Sequence, residues 1–202
     1  MMSSLWIPSV EVESVNGTRE VALTTRHLMN RNIFIHSEIN SQSANDFLSQ
    51  FLYLTGESEE EINVYINSPG GEVNAGLMMY DLLQDTEVPV NIICTGMAAS
   101  MAALILAGGQ KGRRFILPHS KTMIHEPLIS GGVGGSATSI RNISESILET
   151  RRMVNGLLSK HTGKEIAEID EATSFDNYMN AEKSVEFGIC DAIITGPTKM
   201  RA

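Results

Sequence analysis

Ser100 stands in Gly96-Met97-Ala98-Ala99-Ser100-Met101-Ala102, a hydroxyl among small and apolar neighbours where a strand-like run meets a helix-like one. Serine is a poor nucleophile near neutral pH unless a base takes its proton, so the position either carries acyl-transfer chemistry with a nearby histidine or merely caps a helix. Of the five histidines, His125 is the best placed. It ends the β-prone run Thr122-Met123-Ile124, which puts it at the carboxyl end of a strand. His119 is the nearest rival, while His27, His36 and His161 lie in polar or segment-end contexts. An acid to hold the imidazole tautomer has three candidates, Asp170, Asp176 and Asp191, and spacing does not choose among them. A developing oxyanion needs donors. The first amides of a helix have no intrahelical partner, which offers Met101, and Gly70-Gly71 can present an unobstructed N–H.

A second glycine-rich stretch, Ser130-Gly131-Gly132-Val133-Gly134-Gly135-Ser136, lacks the Lys-Ser/Thr of a phosphate loop and the strand and downstream acid of a dinucleotide fingerprint. Its bare N–H and C=O groups suit an added peptide strand, or a flexible loop with no function.

The elements that must position these groups alternate along the chain. Residues 33–36, 62–66, 90–94, 114–117, 122–125 and 189–194 read as strands. Residues 43–54, 73–84, 98–107, 137–160 and 181–187 read as helices, the longest with Ile140, Ile143, Ile147, Val154, Leu157 and Leu158 on one side. Thr95-Gly96 reads as the turn between strand 90–94 and helix 98–107. Strand, glycine turn and helix in repetition predict parallel strands joined by right-handed crossovers, an α/β fold whose ligands gather at the carboxyl ends of the strands.

The composition bounds the rest. The 202 residues, 42% apolar and 19% charged, are enough for one folded core. A net charge of −9 without clustered bases disfavours a nucleic-acid groove or an anionic membrane surface. Cys94 and Cys190 lie in apolar stretches without metal-ligand spacing, which predicts reduced, buried thiols and a cytoplasmic setting. The N-terminus has no basic, apolar leader pattern, and the longest apolar run is far too short for a bilayer.

Five landmarks in one order resemble the ClpP family, the proteolytic subunit of the Clp protease, over nearly the whole chain. They are Ile66-Asn67-Ser68-Pro69-Gly70-Gly71, Gly96-Met97-Ala98-Ala99-Ser100-Met101, Met123-Ile124-His125-Glu126-Pro127-Leu128, His161-Thr162-Gly163 and Asp176-Asn177-Tyr178-Met179-Asn180-Ala181. The resemblance implies Ser100 as nucleophile, His125 as general base, Asp176 as the orienting acid and the amides of Gly71 and Met101 as oxyanion hole. It also implies substrate binding along Gly70 and along Gly131, Gly132, Val133, Gly134 and Gly135. The implied fold is a crotonase-type ββα spiral forming a single peptidase domain over 1–202. Residues 1–20, including Trp6-Ile7-Pro8, would form an axial segment, and residues 130–161 a glycine-rich strand and handle helix.

The implied activity is ATP-dependent serine endopeptidase cleavage of unfolded polypeptide, without cofactor or metal. It would take place inside two stacked heptameric rings fed by an AAA+ unfoldase such as ClpX, ClpA or ClpC, away from membranes and nucleic acid. Some positions depart from the pattern. Ser174-Phe175 replaces an acid–arginine pair used between rings, Asn63 and Asp85 replace aromatic residues of the ATPase-docking pocket, and Glu126 replaces a glutamine. These departures point to a divergent subunit that works with a second ClpP-type paralogue. A silent structural subunit and a crotonase-type acyl-CoA enzyme are the other readings.

Overall fold

The computed structural model describes residues 8–14, 17–129 and 131–196. An antiparallel hairpin of β1 (Ser9–Ser14) and β2 (Gly17–Ala22) leads into α1 (Leu23–Met29) and β3 (Asn32–Ile35). The helix α2 (Ser41–Glu57) starts at a capping box: the Asn40 side chain accepts from the Gln42 and Ser43 amides, and the Ser43 hydroxyl accepts from the Asn40 amide. It buries Ala44, Phe47, Phe51 and Leu54 at helical spacing. Then come β4 (Ile62–Ser68), α3 (Val73–Gln84), β5 (Val90–Ala99) and α4 (Met101–Ala107). Short strands β6 (Arg114–Ile116) and β7 (Lys121–Ile124) precede the long α5 (Ala137–Thr162). The described chain closes with α6 (Ile166–Ala172), β8 (Asn177–Asn180), α7 (Ala181–Phe187) and β9 (Ala192–Ile193).

The fold is mixed α/β, as the alternation predicts. Strands β3, β4, β5, β6 and β9 pair in that order and in parallel. The ten-residue β5 changes partner along its length: Ile92–Cys94 lie beside β6, and Met97–Ala99 lie beside β7. The strand β8 then pairs antiparallel to β7, with Ile124 opposite Asn177. All of α4 is buried, so the element that follows Ser100 is packed into the core on every side. Burial of a Leu or Ile side chain such as Leu104, Ile105 or Leu106 is worth roughly 1.5–3 kcal/mol, which anchors this helix firmly.

The structure corrects several expectations. Thr95-Gly96 is not a turn. The strand β5 runs through both residues to Ala99, and the helix begins three residues later than expected, at Met101 rather than residue 98. Ile66 pairs with Cys94 but Ser68 with Ala98, so β5 takes up extra residues in a bulge here. Gly96 serves that bulge: a Cβ on it would lie 2.5 Å from Asn67 Oδ1. The stretch expected as a glycine-rich strand is also different. Among the described residues, Gly131–Gly135 pair with no strand, and Gly131, Gly132 and Gly135 have φ of 92°, 82° and 133°, outside the pleated region. Of the strand expected at 189–194 only Ala192–Ile193 pairs.

The apolar face expected along α5 divides in two. Val154 and Leu158 are buried and Leu157 half-buried, whereas Ile140 and Ile143 are exposed and Ile147 only half-buried, because the first part of the helix projects from the body. Trp6 and Ile7 of the expected axial segment lie outside the described residues, and the part from Ser9 is the β1–β2 hairpin. No helix among the described residues is long and apolar enough to cross a membrane.

Candidate active site

Ser100 occupies the single residue between β5 and α4, at φ 54° and ψ −123°, a conformation that L residues rarely adopt. Holding it costs on the order of 1–3 kcal/mol, met by what surrounds it. Its amide donates to the Met123 carbonyl at 2.8 Å, and its carbonyl accepts from Ala103 and Leu104. The buried α4 locks the turn from behind. The Ser100 hydroxyl makes no capping hydrogen bond, so the helix-cap reading of this residue is set aside. It is turned outward instead, as in a sharp strand-to-helix elbow.

The glycine pair lies against this elbow. A Cβ on Gly70 would sit 2.5 Å from the Ala99 carbonyl oxygen, 2.7 Å from the Ser100 Cβ and 3.0 Å from the Met101 nitrogen, so only glycine fits. The turn is held by Ser68, whose hydroxyl donates to the Ser37 carbonyl at 2.6 Å and accepts from the Gly70 amide at 3.1 Å. Ile39 bridges to Gly71 through the Gly70 carbonyl and the Glu72 amide. In that parallel pattern the Gly71 N–H points away from Ile39. The Met101 N–H is the first of its helix and has no intrahelical acceptor. The Gly70–Gly71 turn thus lies against the Ser100 elbow, beside the Met101 nitrogen.

His125 follows directly after β7, and its Nε2 lies 2.9 Å from the Ser100 Oγ. Its Nδ1 lies 3.0 Å from an Asp176 carboxylate oxygen. An ionised carboxylate only accepts, so Nδ1 carries the proton and the neutral ring's Nε2 accepts from the serine hydroxyl. Residues 51 positions apart meet because β7 and β8 pair antiparallel, which puts the residue after Ile124 beside the residue before Asn177.

The rival groups are occupied elsewhere. Asp191 binds Arg114 through two oxygens, at 2.6 and 2.9 Å, deep in the core. Burial opposes its ionisation, but the Arg114 hydrogen bonds outweigh this and hold the carboxyl below its ordinary value. Asp170 accepts from Asn155 at 2.6 Å. Among the histidines, His119 and His36 are exposed, His27 packs edge-on against Phe34, and His161 lies 2.7 Å from the Tyr80 hydroxyl. Burial, with the cations Lys160 and Arg114 nearby, pushes the His161 ring down to about 4. Both cysteines are free and buried, and burial pushes the Cys94 thiol up to about 11 and the Cys190 thiol higher still.

An apolar cleft of about 720 Å³ opens between the start of α3, just after the Gly70–Gly71 turn, the segment after His125 and the projecting part of α5. Val73, Pro127, Leu128, Ile129, Ile143 and Ile147 line it. Gly131, Gly132, Val133, Gly134 and Gly135, expected beside the site, are exposed and do not line this cleft. A larger cleft, about 890 Å³, lies at the amino ends of the strands around Arg31, Glu57 and Glu60, away from Ser100. Asn63 borders that one, in a polar ladder: Asn63 donates to Asn32 at 3.3 Å and accepts from Asn91 at 2.9 Å, and Asn91 accepts from Arg113 at 2.9 Å. Asp85 is exposed and borders a separate cleft along α3.

Sequence reading missed the supports. Ser68 is a small polar residue at a strand end, which carries no signal alone, and Asn67 accepts from the Met97 amide only because of the bulge in β5. With this geometry in hand, the comparison with known families is direct. The Clp protease family model matches residues 15–197, nearly the whole chain, and the span includes Ser100, His125, Asp176 and the Gly70–Gly71 turn. The chain belongs to the Clp protease family, the serine peptidases of ClpP type.

Proposed function

We propose that this chain is a serine endopeptidase subunit in which Ser100 attacks the scissile carbonyl of an unfolded polypeptide. His125 takes the hydroxyl proton through Nε2 and returns it to the leaving amine, and water then releases the acyl-enzyme by the same route. Asp176 keeps the ring in its Nδ1–H tautomer and stabilises the imidazolium. The Gly71 and Met101 amides hold the oxyanion. The observation that carries the reading is the continuous chain from Ser100 through 2.9 Å to His125 and 3.0 Å to Asp176, at a strained elbow with Gly70 packed against it. The neighbouring apolar cleft supports an apolar side chain in the substrate next to the cut.

The same reading includes two stacked heptameric rings and an AAA+ unfoldase that supplies the ATP-dependent step, since this chain has no Walker motif. It also includes a cytoplasmic setting, supported by two free, buried thiols. A Ser100→Ala protein is expected to keep its assembly and to lose both peptide hydrolysis and labelling by a serine-reactive phosphonate. Unchanged hydrolysis in that variant would put the nucleophile elsewhere.

A second reading is favoured by two observations: the chain acts within a mixed barrel whose other subunit type contacts the ATPase. Asn63 belongs to a polar ladder rather than an aromatic pocket, and Phe175 beside the acid is exposed with no ion pair to offer. Gel filtration and peptidase assays with and without a candidate partner subunit decide it. Full activity and tight ATPase binding by this subunit alone would exclude it.

A further inference from the structure

Two arms of chain carry the imidazole and the carboxylate, and both are held from the same side by one turn of α5. On the first arm Glu126 follows His125, and the Nε of Arg151 lies 3.1 Å from its carboxylate. The Arg151 N–H is not aligned on that oxygen, so the contact is a close charge pair rather than a formed hydrogen bond. On the second arm Arg151 Nη2 lies 3.9 Å from Asp170, and Asn155, one turn further along and fully buried, donates to Asp170 at 2.6 Å and to the Thr173 hydroxyl at 3.1 Å. Thr173 leads into Asp176 and closes the circuit, since its carbonyl accepts from the Glu126 amide at 2.8 Å.

We infer that Arg151 is a positioning residue for the peptidase reaction, a cation on the handle helix that fixes the His125 arm against the Asp176 arm through Glu126 and Asp170. The inference rests on the Ser100–His125–Asp176 reading above. The residue next to Asp176, Phe175, is an exposed aromatic and supplies no charge to the acid arm, so the cation serving both arms comes from α5. Because α5 also projects its exposed apolar half away from the body, whatever binds that half bears on the angle at which Arg151 meets the site.

The role is geometric. Arg151 touches neither Ser100 nor the amides, so its loss leaves the cleft and the oxyanion donors in place. It relaxes the 2.9 and 3.0 Å contacts on which proton transfer depends. A misplacement of this kind lowers kcat and spares KM.

The test compares wild type with Arg151→Met, Arg151→Lys, Glu126→Gln and Ser100→Ala in the assembled protein. It uses a short fluorogenic peptide and the rate of phosphonate labelling. Arg151→Met is expected to lower kcat and labelling about tenfold with KM changed less than twofold. Lysine at 151 should restore most of the loss. Glu126→Gln, which leaves α5 untouched, should reproduce it, and the double variant should be no worse than either single one. If Arg151→Met does not assemble, Glu126→Gln carries the test by the same readout. Wild-type kcat in both single variants would overturn the inference, as would an Arg151→Lys protein as slow as Arg151→Met. A wild-type rate in Ser100→Ala would instead sink the peptidase reading beneath it.

Discussion

The serine side and the carboxylate side of the candidate site are built to different standards. Ser100 stands between a strand paired on both edges and a helix with every residue buried, and its unusual backbone is fixed by hydrogen bonds at its amide and carbonyl. Asp176 stands on the short link between α6 and β8, its side chain 61% exposed, while that of His125 is 15% exposed. Phe175 beside it is also open to solvent. The serine end is set by the fold of the chain itself. The carboxylate end leans on a few side chains from α5 and α6 at the surface of the chain.

The contrast can be broken by substitution. His125→Ala, at the inner side, should lower kcat about 10⁵-fold. Asp176→Ala should cost only about 10³-fold, because an exposed carboxylate is partly replaced by water. Equal losses in a peptidase assay would mean that the two sides are equally enclosed in the working assembly. Next comes Gly70→Ala, which forces a methyl into the Ala99 carbonyl and the Ser100 side chain at φ 88°. About 3 kcal/mol of stability should be lost along with activity, as read by denaturant unfolding. The same change at Gly131, where a Cβ meets open space, should cost less than half of that, all of it from its φ of 92°.

A third comparison concerns the core behind the serine. Arg114, 1% exposed, is held by Asp191 and by the carbonyls of Ala107, His161 and Gly188. Arg114→Met strands Asp191 and should destabilise by about 3 kcal/mol in the same unfolding experiment, with no direct effect on the site chemistry. The smallest effect is that of pH. The His161 ring, at about 4 against an ordinary 6.5, is held neutral by the fold, so its contribution is whole above 6.5 and is lost as pH falls from there towards 4. Asp191 adds a second loss at more acid pH, below its ordinary 3.8. His161→Gln should flatten thermal stability between pH 6.5 and 4, and an unchanged slope would mean that another group titrates there.

Much of this was legible in the sequence, for physical reasons that differ by region. The parallel strands and α3 are apolar, periodic segments, and their pattern is their structure. The passage of β5 through Gly96 was not legible, because glycine reads as a turn unless one knows that Asn67 must pack on it. The strand β8 was hidden in Asn177-Tyr178-Met179-Asn180, which has no β-branched residue, and α6 in seven residues with a single buried one, Ile169. Ser100 and His125 stood out by position at strand ends. Asp176 did not: residue type left it level with Asp170 and Asp191, family resemblance singled it out, and the structure separates them by what each one binds.

The central claim is a hydroxyl made reactive by an imidazole and a carboxylate at a strained elbow. The most direct measurement treats the assembled protein with a fluorophosphonate and locates the adduct by peptide mass spectrometry in wild type, His125→Ala and Asp176→Ala. The account predicts a single adduct on Ser100, formed at wild-type rate only with all three groups present and slowed more by loss of His125 than of Asp176. An adduct on another residue, or equal labelling of Ser100 in all three proteins, would contradict it.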